Sequence, residues 1–177
     1  KAVAAELIPY LAGFGVTDIG ENRPVEGGRR TGSLKQFRRH LIGALQTNKV
    51  GKALEWAAVV HSLDRPALLE ELGRRSPNLP VFIQVNISGE ASKGGYKPGD
   101  VADAVKAARR RLQVEGLMTM APVEGDARPH FRALRELAGS LGLSKLSMGM
   151  SQDYEAAVEE GATHVRVGSA IFEGVAV

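Results

Sequence analysis

The feature that most restricts the fold is an alternation of strand-like and helix-like segments through the whole chain. Strands are predicted near positions 16, 40, 59, 81, 114, 146 and 164, with Val81–Ile87 and Leu146–Met150 the most compact apolar runs. Helices are predicted over Val50–Ala57, over Pro66–Arg75 with its early proline, from Pro98 to Arg111, and over Arg128–Leu141, where Phe131, Leu134, Leu137 and Leu141 share one face. Regular alternation of this kind predicts an α/β protein with a parallel sheet. Seven strands are one short of a (β/α)8 TIM barrel. The missing first strand would stand just before Lys1, which would put Lys1 on the face where barrels keep their chemistry. The chain does not begin with methionine. The reading is therefore one barrel domain over 1–177, N-terminally incomplete. A doubly wound open sheet is the alternative, but no GxGxxG turn supports it.

Two segments are less regular. Ala2–Phe14 has helical spacing interrupted by Pro9. Pro24–Arg39 is polar and rich in Gly and Arg, and reads as a loop with a partial helix.

Composition narrows the function. There is no cysteine, so disulfides and thiolate metal sites are excluded, and a cytoplasmic setting fits. No apolar run approaches the ~20 residues of a membrane span. Net charge is +3, and aromatics are only 5% and do not interleave the arginine clusters, so a nucleic-acid surface is not favoured. The four histidines lack metal-ligand spacing such as HExxH. His40 and His61 read as buried, hydrogen-bonded residues, and His130 as an exposed one.

The stretch from Leu146 to Phe172 carries the most chemistry. It reads as strand, turn, short helix, strand and Gly-Ser turn. Ser151 stands where a helix N-cap would stand. The two strand ends bring together hydroxyls at Ser151 and Ser169 with small residues, Gly168 among them, whose backbone N–H groups can approach an anion. Loops after the last strands of a barrel often bind phosphate. Arg166 lies within an apolar strand, where a charge needs a partner.

Five segments together resemble one family. They are Gly20-Glu21-Asn22-Arg23, the run His40 to Lys49, the run Gln84 to Lys93, the run Gly116 to Pro122, and Leu146 to Phe172. The family is that of the pyridoxal-phosphate-binding proteins called YggS in bacteria and proline synthase co-transcribed protein in animals. Its fold is the barrel of the alanine racemase N-terminal domain. In that family a lysine ends strand one and carries the cofactor as a Schiff base, nineteen residues before the Gly of the Gly-Glu-Asn motif. Counting back nineteen from Gly20 gives Lys1. The chain departs from the pattern at Ala4, Pro24-Val25-Glu26 and Arg39, and is shorter than usual between Glu26 and His40.

The resemblance implies a cofactor, pyridoxal 5'-phosphate, and roles for its contacts. Lys1 would supply the imine. Ser151, Gly168 and Ser169 would cradle the phosphate, and Arg166 would face the ring nitrogen. Asn22 would contact the ring or its hydroxyl, and Met150 would pack on it. An arginine can only donate, so it disfavours a pyridinium and makes the ring a weak electron sink. That works against transamination and decarboxylation, and leaves racemisation or plain carriage. The resemblance implies a monomeric protein of vitamin B6 homeostasis without established turnover. The alternative is an alanine-type racemase, which needs a second base; Tyr10, Tyr96 and Tyr154 stand in no recognisable catalytic motif. A phosphorylated-sugar enzyme using the same corner is a further class.

Overall fold

The computed structural model describes residues 5–172. Seven strands form one sheet: β1 Asp18–Glu21, β2 Arg38–Leu41, β3 Val59–Leu63, β4 Pro80–Gln84, β5 Gln113–Met118, β6 Lys145–Met150 and β7 His164–Arg166. Every strand pairs in parallel with the next in sequence, in the order one to seven. A doubly wound sheet reverses strand order at a switch point. This sheet never reverses, so it winds one way and curls into a nearly closed barrel. The curl is visible in a hydrogen bond between His61 of β3 and Ser147 of β6, 2.8 Å across the interior.

Helices fill the crossovers: α1 Pro24–Thr31, α2 Val50–Leu54, α3 Pro66–Arg75, α4 Val101–Ala108, α5 Arg128–Ser140 and α6 Tyr154–Glu159. Their apolar faces cover the outside of the sheet. Leu68, Leu72, Val105, Phe131 and Leu134 pack there with Val81, Ile83, Leu117, Leu146 and Met148 in one buried cluster. A smaller cluster of Val59, Phe82 and Met118 lies inside the barrel. The two sets alternate along β4 and β5, as period-two side chains must. β3 is buried at every position, as a central strand covered on both faces should be.

One expectation needs correction and another is made specific. The segment from Ala5 to Phe14 is a 3₁₀ helix. Pro9 within it lacks the N–H an α-helical turn would use. The partial helix expected within 24–39 is found over Pro24–Thr31 and is regular, with the loop confined to the residues before β2. Pro24 opens it, and Trp56 donates from Nε1 to the Pro24 carbonyl at 2.7 Å. Gly27 and Gly28 lie flat against the Trp56 ring; a Cβ on Gly27 would come within 2.6 Å of it. The glycines that weaken this helix locally are what let it pack on Trp56.

At the N-terminal end of the barrel, Glu115 is almost fully buried and takes ion pairs from Lys145 and, at 3.6 Å, from Arg38. These groups lie away from the C-terminal strand ends and tie β2, β5 and β6 together.

Candidate functional site

β6 and β7 deliver their C-terminal ends to one corner. β6 closes through Gly149, whose φ of +91° favours glycine and whose missing side chain lets the α6 turn come close. After it, the Met150 N–H donates to Asp153 Oδ1 at 2.5 Å. Asp153, not Ser151, therefore stands at the cap position of α6. That corrects the expected cap and frees Ser151 for another contact. Its Oγ accepts the Gly168 N–H at 3.3 Å, joining the turn after β6 to the turn after β7. A Cβ built on Gly168 would meet no atom within 4 Å. The corner thus has open space beside the Gly168 backbone and a hydroxyl, Ser151, joined to it, small polar groups suited to a phosphate. Ser169 follows at the start of a short 3₁₀ turn, Ser169–Phe172.

A cavity of about 510 Å³ opens between the two edge strands. Asn22, just after β1, lines it from one side, and Arg166 and Gly168 from the other. Ser151 reaches this wall through Gly168. Met150 is half-buried at the end of β6 and is not part of the lining. Lys1 lies outside the described residues. Tyr10, Tyr96 and Tyr154 do not line this cavity. Burial, with the Asp64 carboxylate nearby, pushes the Tyr96 hydroxyl up to about 12, which makes it a reluctant base.

Arg166, half-buried in β7, finds the partners its position demands. One terminal nitrogen donates to Ser147 Oγ at 2.9 Å and the other to the Thr119 carbonyl at 3.0 Å. Burial pulls its guanidinium down to about 10, opposed by Asp153. The side chain remains cationic at neutral pH and has further N–H groups to offer the cavity.

Behind Arg166 runs a feature that no local sequence pattern signalled. Ser147 Oγ meets His61 Nδ1 at 2.8 Å, His61 Nε2 meets His40 Nδ1 at 2.8 Å, and His40 Nε2 meets Asp18 Oδ1 at 2.8 Å. His61 also stacks on Phe82, with ring centroids 4.3 Å apart. Burial, then the neighbouring His40, His164 and Arg166, lowers His61 to about 2. Burial likewise lowers His40, although the Asp18 hydrogen bond pulls the other way. Burial raises the Asp18 carboxyl, but hydrogen bonds from Thr17 and His40 hold it below its usual value. Both histidines were read correctly as buried and bonded. His130, expected to be exposed, is half-buried on α5. Among the described residues, no group of three His, Asp or Glu side chains is placed to hold a metal ion. No helix among them is long and apolar enough to cross a membrane.

No family model matches the chain. Curated relatives do. The pyridoxal phosphate homeostasis protein of Aquifex aeolicus is 40% identical over 97% of this chain and 83% of its own length. That of Pseudomonas aeruginosa is 42% identical over 97% of this chain and 80% of its own. Among solved structures, PipY of Synechococcus elongatus with PLP bound superposes with a TM-score of 0.86 at 31% identity, covering 97% of this chain and 89% of that one. Alanine racemase from Corynebacterium glutamicum matches with a TM-score of 0.74 at 15% identity, over 95% of this chain and 51% of that one. At that identity the likeness concerns the barrel alone.

Proposed function

The chain belongs to the pyridoxal phosphate homeostasis proteins, and from that premise we propose that it binds pyridoxal 5'-phosphate between β1 and β7 and carries it without turnover. The observation that carries this reading is the convergence of three unlike groups on one face. They are a half-buried arginine with N–H groups to spare, a glycine with open space beside it and a serine hydroxyl bonded to its N–H, and an asparagine at the opposite wall. When bound, pyridoxal phosphate supplies an aldehyde that a lysine amine can hold and a ring that can take up electrons.

Each group has one task. Ser151, Gly168 and Ser169 hold the phosphate, with the Gly168 backbone close because no side chain intervenes. Arg166 faces the ring nitrogen as a donor, so that the nitrogen stays an acceptor and the ring a weak electron sink. Asn22 holds the ring from the β1 side, and Met150 supports the corner as packing. Lys1, which lies outside the described residues, is assigned as the amine that holds the aldehyde. Carriage is preferred over racemisation because, among the described residues, no tyrosine lines the cavity as a second base. The binding residues all come from a single chain, and a monomer in the cytoplasm suffices for this task. Light scattering on purified protein tests the monomer.

The test of the site is an absorbance spectrum of the protein with added pyridoxal phosphate, before and after borohydride, followed by peptide mapping. A visible band that borohydride fixes onto Lys1 is expected. Absence of a band, or fixation on another lysine, would overturn the assignment and favour a different phosphate ligand. Lys1→Ala should abolish the band, and Arg166→Ala should weaken retention of the cofactor.

A further inference from the structure

The hydrogen-bond chain behind Arg166 has a direction, and both of its ends impose the same one. Arg166 can only donate, so Ser147 Oγ accepts there and its own proton is left for His61. At the far end the Asp18 carboxylate only accepts, so His40 Nε2 carries a proton. A neutral His40 then presents a bare Nδ1 and must accept from His61 Nε2–H. A neutral His61 presents a bare Nδ1 and accepts the Ser147 hydroxyl proton. Every donor meets an acceptor from Arg166 through Ser147, His61 and His40 to Asp18.

The alternative polarity fails. With His61 protonated on Nδ1 instead, Ser147 Oγ would accept from both sides and its own proton would play no part in the chain, and two bare ring nitrogens would oppose each other at 2.8 Å unless His40 were charged. Burial disfavours that charge.

We propose that Ser147, His61, His40 and Asp18 are positioning residues that lock the orientation of the Arg166 guanidinium, and thereby hold the nitrogen of a bound pyridoxal ring as an unprotonated acceptor. The proposal rests on the reading that the cavity takes pyridoxal phosphate. Ser147 is fully buried, and its hydroxyl proton is committed to His61. Its lone pair therefore stays aimed at Arg166 and the guanidinium plane cannot turn. Phe82 backs the His61 ring and fixes it in the same way from the apolar side. The phosphate corner is separate; it depends on Ser151 and Gly168 and has no bond to this chain.

Two measurements test this. The first uses the protein without cofactor. Nitrogen NMR of the histidine rings should show both His40 and His61 neutral and protonated on Nε2 at pH 7. A proton on Nδ1 of either ring, or a charged ring, overturns the proposal. The second follows the pyridine nitrogen of ¹⁵N-labelled pyridoxal phosphate bound to wild type, Ser147→Ala, His61→Phe and His61→Asn. Wild type should give an unprotonated nitrogen. Ser147→Ala and His61→Phe should shift the resonance toward the protonated range and release the cofactor about two- to tenfold faster, the factor one hydrogen bond contributes.

His61→Asn places an oxygen near where Nδ1 stood, and should recover part of the wild-type shift. Unchanged shifts in Ser147→Ala and His61→Phe overturn the proposal. So does an Asn variant no better than the Phe variant, which would assign the loss to packing. Wild type that takes up no pyridoxal phosphate removes the functional reading itself, and the proposal with it.

Discussion

On the outer side of the sheet, Val81, Ile83, Leu117 and Leu146 meet Leu68, Leu72, Phe131 and Leu134 through side chains that carry no polar atom. On the inner side, a few ångströms away, Val59, Phe82 and Met118 share the barrel with two histidines, a buried serine and an arginine. Apolar contacts have no direction, so the outer layer needs only volume and pattern. A buried hydrogen-bond chain is directional: each member is satisfied only if its neighbours are. The outer layer therefore holds the barrel together, and the inner one sets where a single cation points. Substitutions on the two sides should fail in different ways.

The largest effect belongs to the outer layer. Phe131 is completely buried on α5. Phe131→Ala should cost about 3–5 kcal/mol of stability, as the loss of a buried aromatic and the cavity left behind usually do. Urea unfolding measures it. The protein that stays folded should still bind pyridoxal phosphate with the wild-type spectrum, because Phe131 packs outside the sheet. A changed spectrum would break the separation of the two layers.

The inner layer should reveal itself through pH. His61 titrates near 6.5 when unfolded and is lowered to about 2 in the fold. Below pH 6.5 the unfolded chain binds a proton that the folded chain refuses, so stability falls as pH falls. Above 6.5 the contribution is flat. The slope approaches about 1.4 kcal/mol per pH unit for one such group, or about 2–3 kcal/mol between pH 6.5 and 4.5. His40 and His164 are lowered as well and add to the wild-type slope. The difference between wild-type and His61→Phe unfolding curves isolates His61, and parallel curves would mean that His61 is not held neutral.

How much of this was legible beforehand follows the same division. The outer layer is written in local period: α3 was read over Pro66–Arg75 and is found there, and the apolar face of α5 was read correctly. The partial helix read within 24–39 could not be given bounds, because its glycines serve Trp56, which lies well beyond any local window. In the site, Arg166 was marked by its need for a partner, and Ser151 and Gly168 by their place at adjoining strand ends. The partners of Arg166 were hidden. His61 and Ser147 are 86 positions apart and meet only because the barrel closes β3 against β6. Two buried histidines predict that bonds exist, not which ones.

Gly149 sits where the layers touch. Its φ is +91°, and a Cβ there would approach the Ala157 side chain of α6 to 2.6 Å. Gly149→Ala should cost about 1–3 kcal/mol through strain and overpacking. Because the turn after it carries Ser151, cofactor affinity should fall along with stability. A loss of stability with unchanged affinity would show that the phosphate corner is independent of the end of β6.

The smallest effect should come from the open end of the chain. Asp18 is half-exposed, with 47% of its side chain accessible, so its pair with His40 is worth no more than about 1 kcal/mol. Asp18→Asn keeps an oxygen that can accept the His40 Nε2 proton but removes the charge. The hydrogen bond and charge of Asp18 raise the His40 pKa against burial. Loss of the charge alone should therefore move the His40 midpoint further down in an NMR titration, while Arg166 keeps its bonds to Ser147 and Thr119. A rise in that midpoint would mean that burial is not the dominant influence on His40. A disturbance reaching the pyridine nitrogen would mean that the chain transmits the charge of Asp18 as well as the direction of its hydrogen bonds.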